Sequence, residues 1–308
     1  MKLINIFVIL YLIILLVSQN TNSEQFDNTN INTNTTDQTK PIDYSIKQII
    51  PQININPNAD IAIVYVYTQN IYEYCQHSIK NLTAYVKKYN YGLIVYSEPF
   101  NTNVSACWNK VCAILENLLT HKYLVWFDAD AIINNFDISL DSFVKKYPDA
   151  EIICCLDILA EKDCVNSGVM IIKNTPWAYN IFKKTWLTEI PHKHNDQNVI
   201  FHTIVEDLIP NPDQKTLKYN PYCLKVNDPK FKLLEENAFN SNILHYKPRD
   251  FVIHLMGSSK EARIKIMRQI NTSLGLDNCE EKDCVDLINN ENTLDKVKKI
   301  KEICLLKK

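Results

Sequence analysis

The residues best placed to do chemistry are two acids, Asp128 and Asp130, closing the stretch Tyr123-Leu-Val-Trp-Phe-Asp-Ala-Asp-Ala-Ile-Ile133. Leu124 to Phe127 is short, β-branched and aromatic, the composition of a buried strand. Carboxylates at the exit of a core strand are costly unless they are paired or bind metal. If extended backbone continues through Asp130, its period of two puts both carboxylates on one side. There they suit a divalent ion carrying a phosphate-rich ligand. An isolated Asp-x-Asp also fits a turn cap beside a solvated acid, and such short patterns match by chance.

Composition narrows the partners. The 308 residues carry a net charge of −2 and contain only 4 Gly. No long basic run is present, which argues against nucleic acid. No Walker or dinucleotide fingerprint is present either, so phosphate must be gripped by metal, cationic side chains or helix N-termini. Leu3 to Val17 is apolar apart from Asn5. Residues 1–18 therefore read as a signal peptide or a short signal-anchor. Both send the remainder into the secretory lumen, as a type II Golgi or ER membrane protein if uncleaved and a secreted one if cleaved. The 10 Cys fit an oxidising compartment, where some are expected in disulfides. Sequons begin at Asn34, Asn81, Asn103 and Asn271.

The elements that must position the acids follow from patterning. Residues 19–58 are rich in Asn and Thr and read as a flexible stem. The folded domain is expected over 59–270, with 271–308 as a Cys-containing helical appendage. Ile61 to Tyr67 is a central strand, 70–90 a helix, Leu93 to Tyr96 a strand and 106–120 a helix before the acid-bearing strand. This alternation predicts a parallel sheet with right-handed crossovers, whose ligands bind off the strands' carboxyl ends. Further on, 139–147 is a short helix and Ile152 to Leu156 a strand. Asn166-Ser-Gly168 is a turn leading into a strand that ends at Lys173. Thr175-Pro176 starts a helix as N-cap and first residue. Asn195 or Asp196 caps another. Residues 210–250 look loop-rich, Phe251 to Gly257 is a late strand carrying His254, and a charged helix runs from Glu261.

In order, the chain presents Asp128-x-Asp130, Asn166-Ser-Gly168 with Lys173-Asn-Thr-Pro-Trp177, Asp196-Gln197, and His254-x-x-Gly257. This succession resembles the galactosyl-, mannosyl- and xylosyltransferases of glycosyltransferase family thirty-four. The resemblance covers residues 60 to about 265 and departs from the family at Ser167, at Asn195 and after Gly257. It implies an α/β fold of the GT-A nucleotide-diphosphosugar transferase type, a Rossmann-like sandwich around a mixed central sheet. It also implies a retaining transferase using Mn²⁺, with Mg²⁺ as an alternative, held by Asp128, Asp130 and His254.

Asp128 would hold the ribose or a metal-bound water, while Asp130 would ligate the metal directly. Asn166, Ser167 and Gly168 would border the donor sugar, and Asp196 and Gln197 would act at the reacting carbon. Tyr65 and Thr68 would meet the base. Lys110 would lie near the donor, while Gly257 and Lys260 would serve the diphosphate. The implied partners are a nucleotide-diphosphosugar and a glycan or glycoprotein acceptor. A glycogenin-like transferase shares much of this pattern but usually follows its late Gly with Lys-Pro-Trp, absent here. The non-enzyme alternative is a secreted glycan-binding protein on the same scaffold.

Overall fold

The computed structural model describes residues 45–157, 164–188, 196–213, 226–247 and 249–277. The expected signal or anchor, most of the stem, Asn195 and nearly all of the appendage lie outside them. Among the described residues no helix is long and apolar enough to cross a membrane.

The chain runs through β1 (Ile53–Ile55), β2 (Ile61–Val66), α1 (Tyr72–Tyr89), β3 (Gly92–Tyr96), α2 (Asn109–Asn117), β4 (Tyr123–Phe127) and β5 (Ala131–Ile133). Then come α3 (Leu140–Lys146), β6 (Ile152–Asp157), β7 (Cys164–Lys173), α4 (Pro176–Leu187) and α5 (Asp196–Leu208). β8 (Phe231–Leu234), β9 (Ser241–Asn242), β10 (Val252–His254) and α6 (Lys260–Ser273) complete it. The main sheet has the order β1-β3-β2-β4-β7-β6-β8, and a small sheet has the order β5-β10-β9. β2 pairs parallel with β3 and β4, as the alternating pattern predicts. β7 lies antiparallel between β4 and β6, so the sheet is mixed.

Alternation along the strands divides the core. Ile61, Ile63 and Tyr65 of β2, with Val125 and Phe127 of β4, face a layer built on α1, α6 and the small sheet. Ala62 and Val64, with Leu124 and Trp126, face α2, α4 and α5. A helix starts at Pro176 because Thr175 accepts the Ala178 N–H at 3.1 Å and Pro needs no donor there. α1 stops at Asn90, whose φ of 58° suits Asn in the left-handed region.

Several boundaries differ from the sequence reading. The folded part starts before residue 59, because Ile53 to Ile55 pair with β3 and Ile46 and Ile49 pack on the core. The expected end at 270 falls inside α6, where Asn271 and Thr272 are buried. β8 lies within the expected loop-rich segment. Asn166 to Gly168 form no free turn. They lie inside β7, where the pairing register with β6 shifts. Cys75, Cys107, Cys112, Cys154 and Cys155 are free thiols, so the expected disulfides are not made by these five.

Asn81 and Asn271 are sequons only on paper, since both side chains are fully buried. The Asn81 amide donates to Ile133 O at 2.9 Å and to Asn271 Oδ1 at 3.1 Å, and accepts Ile133 N–H at 3.0 Å. It thereby clamps β5 to α1. Asn81→Ala strands a buried peptide donor and acceptor and should cost about 2–4 kcal/mol. Urea unfolding measures this, and a cost near zero contradicts the assignment.

Candidate active site

The strand carrying the acids ends at Phe127 rather than running on through Asp130. The Ala131 N–H returns to Asp128 O at 3.0 Å, closing a turn over Asp128-Ala129-Asp130. Tyr65 supports it from below, its hydroxyl donating to Ala129 O at 3.0 Å. Antiparallel pairing of β5 with β10 sets His254 opposite Ala131. His254 Nε2 consequently lies 3.0 Å from Asp130 Oδ1 and 3.7 Å from Asp128 Oδ2. The imidazole rests on Gly168: a Cβ there would stand 2.1 Å from His254 Cε1, which only Gly avoids.

On the other side stands Lys110, which α2 delivers into the interior with its side chain only 4 % exposed. Its ammonium bonds Asp196 Oδ2 at 2.8 Å, Ser167 Oγ at 2.9 Å and Ser167 O at 3.1 Å, and lies 3.2 Å from Asp128 Oδ1. Trp126 Nε1 donates to the same Asp128 oxygen at 2.6 Å. Ser167 Oγ donates to Asp196 at 3.1 Å, and the Ser167 N–H donates to Gln197 Oε1 at 3.0 Å. Gly168 O receives the Asp128 N–H at 2.8 Å. Asn166 Oδ1 accepts from Gly168 N at 2.8 Å and from Asn240 Nδ2 at 2.7 Å. The bulged part of β7 thus joins the acid turn to the start of α5.

Charges here are matched in close pairs. Burial would raise the Asp130 carboxyl, but His254 and then Arg263 outweigh it and hold the group well below the usual carboxylate range. Burial would lower His254, yet the Asp130 carboxylate holds it above its ordinary value. Burial would also lower Lys110, and Asp128 followed by Asp196 reverses this. Burial pushes Asp128 up, an effect that Lys110 and His254 only partly offset.

The expected residues are not all brought together. Asp128, Asp130, His254, Lys110, Ser167, Gly168, Asp196, Gln197 and Asn166 form one connected group. Tyr65 is fully buried beneath the turn. Thr68 bonds Asn70 Oδ1 ahead of α1. Gly257 has φ 68°, turning the chain from β10 toward α6. Lys260 pairs with Glu73 and is 46 % exposed. Sequence reasoning missed Arg263, whose Nη2 lies 2.9 Å from Asp130 Oδ2, because it sits in what reads as a solvated charged helix. Its spacing of one helical turn from Lys260 was the available signal.

One ligand atom from each of Asp128, Asp130 and His254 lies within 4.8 Å of the others. Two carboxylates and an imidazole suit an octahedral hard cation such as Mn²⁺ or Mg²⁺, so the donor set fits the implied metal.

Residues 57–152 match the model of the galactosyl transferase GMA12/MNN10 family. No curated protein matches the chain. Among solved structures, a glycosyltransferase involved in glycosylation of the major capsid of PBCV-1 is 16 % identical with a TM-score of 0.49, covering 67 % of this chain and 98 % of its own. The galactosyltransferase LgtC, solved with donor and acceptor sugar analogs, is 12 % identical with a TM-score of 0.43, covering 80 % and 95 %. Mouse xyloside xylosyltransferase 1 is 9 % identical with a TM-score of 0.40, covering 64 % and 98 %. Residues 57–152, which match that family's model, include Lys110 and the acid turn, and the chain folds as a mixed-sheet α/β sandwich.

The His254–Asp130 pair makes a pH prediction. Because Asp130 raises the His254 value above that of the unfolded imidazole, near ~6.5, the pair adds most stability below that pH and loses it as pH rises through the folded value. With chelator present, His254→Gln should therefore destabilise more at pH about 5.5 than at about 9 in urea unfolding. An equal or larger effect at the higher pH contradicts the pairing.

Proposed function

We propose that the protein is a metal-dependent retaining glycosyltransferase. It moves a hexose or pentose from a nucleotide-diphosphosugar, of the UDP-galactose, UDP-xylose or GDP-mannose type, to a glycan or glycoprotein acceptor. One observation supports this most: Asp128 and Asp130, on one turn, and His254, far along the chain, bring ligand atoms within 4.8 Å of one another, directly beside the Lys110–Asp196 pair. A lumenal location belongs to the same proposal and rests on the apolar run Leu3 to Val17.

A Mn²⁺ or Mg²⁺ ion held by Asp128, Asp130 and His254 would supply positive charge to the diphosphate as it leaves. The chain's own residues do the rest. Lys110 anchors the Asp196 carboxylate through a 2.8 Å bond, holding negative charge for an electron-poor anomeric carbon. Gln197 fixes the Ser167 peptide, and Gly168 keeps the wall beside His254 thin. Asn166, locked by Asn240, holds that wall in register.

A screen of UDP- and GDP-sugars for Mn²⁺-dependent thermal stabilisation and donor hydrolysis tests the reading. At least one donor should stabilise the protein and turn over. Asp130→Asn should cut that turnover by about 100-fold or more, the loss expected when a metal ligand goes. Stabilisation by no donor contradicts the proposal. Binding without turnover assigns the scaffold to a glycan- or nucleotide-binding protein instead.

A further inference from the structure

Asp130 divides its carboxylate between two partners. Oδ1 faces His254 Nε2 at 3.0 Å, while Oδ2 accepts from Arg263 Nη2 at 2.9 Å. Arg263 is held firmly. Its guanidinium lies 5.2 Å over the Tyr74 ring centroid, and its Nε lies 3.5 Å from Leu255 O. The side chain is 23 % exposed, so it reaches Asp130 from the solvent edge of the centre. Asp128 is treated alike from the buried side, with Lys110 Nζ 3.2 Å from its Oδ1. Both ligating acids therefore already carry a protein cation.

That arrangement has an electrostatic consequence. A guanidinium in contact with a carboxylate cancels much of its field a few ångströms away. An oxygen engaged in a charge-assisted hydrogen bond is also a poorer ligand. With Oδ2 committed to Arg263, Asp130 offers one oxygen toward His254 instead of a bidentate grip. A bare divalent cation at this point meets two like charges, Arg263 and Lys110. A cation that arrives with a diphosphate brings anionic oxygens to which Arg263 is attractive. Lys260, one turn earlier on α6, is paired with Glu73, so Arg263 is the cation α6 presents to Asp130.

We infer that Arg263 is a positioning residue that sets what this centre accepts: a divalent cation already paired with a diphosphate, in preference to the bare cation. The inference rests on the proposed function and names the residue that couples metal to donor.

Electron spin resonance of free Mn²⁺, titrated with the full-length protein alone and with UDP or GDP, measures both affinities without any turnover. Arg263→Gln should bind bare Mn²⁺ about 10-fold tighter, the size of one charge-assisted contact removed from a ligand. Its affinity for Mn²⁺ with nucleoside diphosphate should be no greater than wild type. Arg263→Lys, which keeps the charge, should retain the wild-type preference. Bare Mn²⁺ affinity unchanged or weaker in Arg263→Gln overturns the inference, as does an Arg263→Lys protein that behaves like Arg263→Gln. No Mn²⁺ binding by wild type, even with UDP and GDP, overturns the proposed function and this inference together.

Discussion

Three carboxylates, Asp128, Asp130 and Asp196, are gathered at one end of the central sheet, and their mutual repulsion is the constraint on which the rest depends. Two unit charges about 4 Å apart interact by roughly 4 kcal/mol at the effective dielectric of a protein edge. The chain answers with partners from three separate elements: the cations of Lys110 from α2 and Arg263 from α6, and the imidazole of His254 from β10. Lys110 and Asp196 are nearly inaccessible, so losing Lys110 leaves the Asp196 carboxylate buried without a cation, a cost of about 3–5 kcal/mol. The helices beside the sheet and the small sheet that returns the chain to Asp130 are thus held to fixed positions by the same pairs.

Local backbone chemistry serves that matching. The turn at Asp128 to Ala131 swings the second acid off the strand axis, where the antiparallel β5–β10 pairing can deliver an imidazole to it. Gly168 lets the ring approach the wall formed by β7. The bulge on β7 lets Ser167 point its hydroxyl at Asp196 while its peptide N–H meets Gln197. These bonds tie the side chains of the site to one another and to the backbone of β7.

Much of this was legible in residue order. The buried strands β2 and β4 announce themselves by composition, and Thr175-Pro176 by capping chemistry. The convergence of Asp128, Asp130 and His254 follows from family resemblance rather than spacing, because His254 lies 124 positions after Asp130. What stayed hidden has physical reasons. β1 is short, half-exposed and set in an Asn-rich stretch, so its composition reads as stem although pairing with β3 orders it. Arg263 is one charge in a charged helix, and only its contact with Asp130 distinguishes it. Tyr65 ends a strand at the ligand-binding side, yet its side chain points into the layer under α1 and spends its hydroxyl on the acid turn.

The proposed activity requires side chains from β10 and the acid turn to meet on a single cation. Anomalous diffraction from crystals grown with Mn²⁺ and UDP or GDP tests it most directly. One strong peak is expected within about 2.0–2.6 Å of His254 Nε2 and an Asp130 oxygen, the range of hard divalent cations. A peak away from these residues, or none, would contradict it.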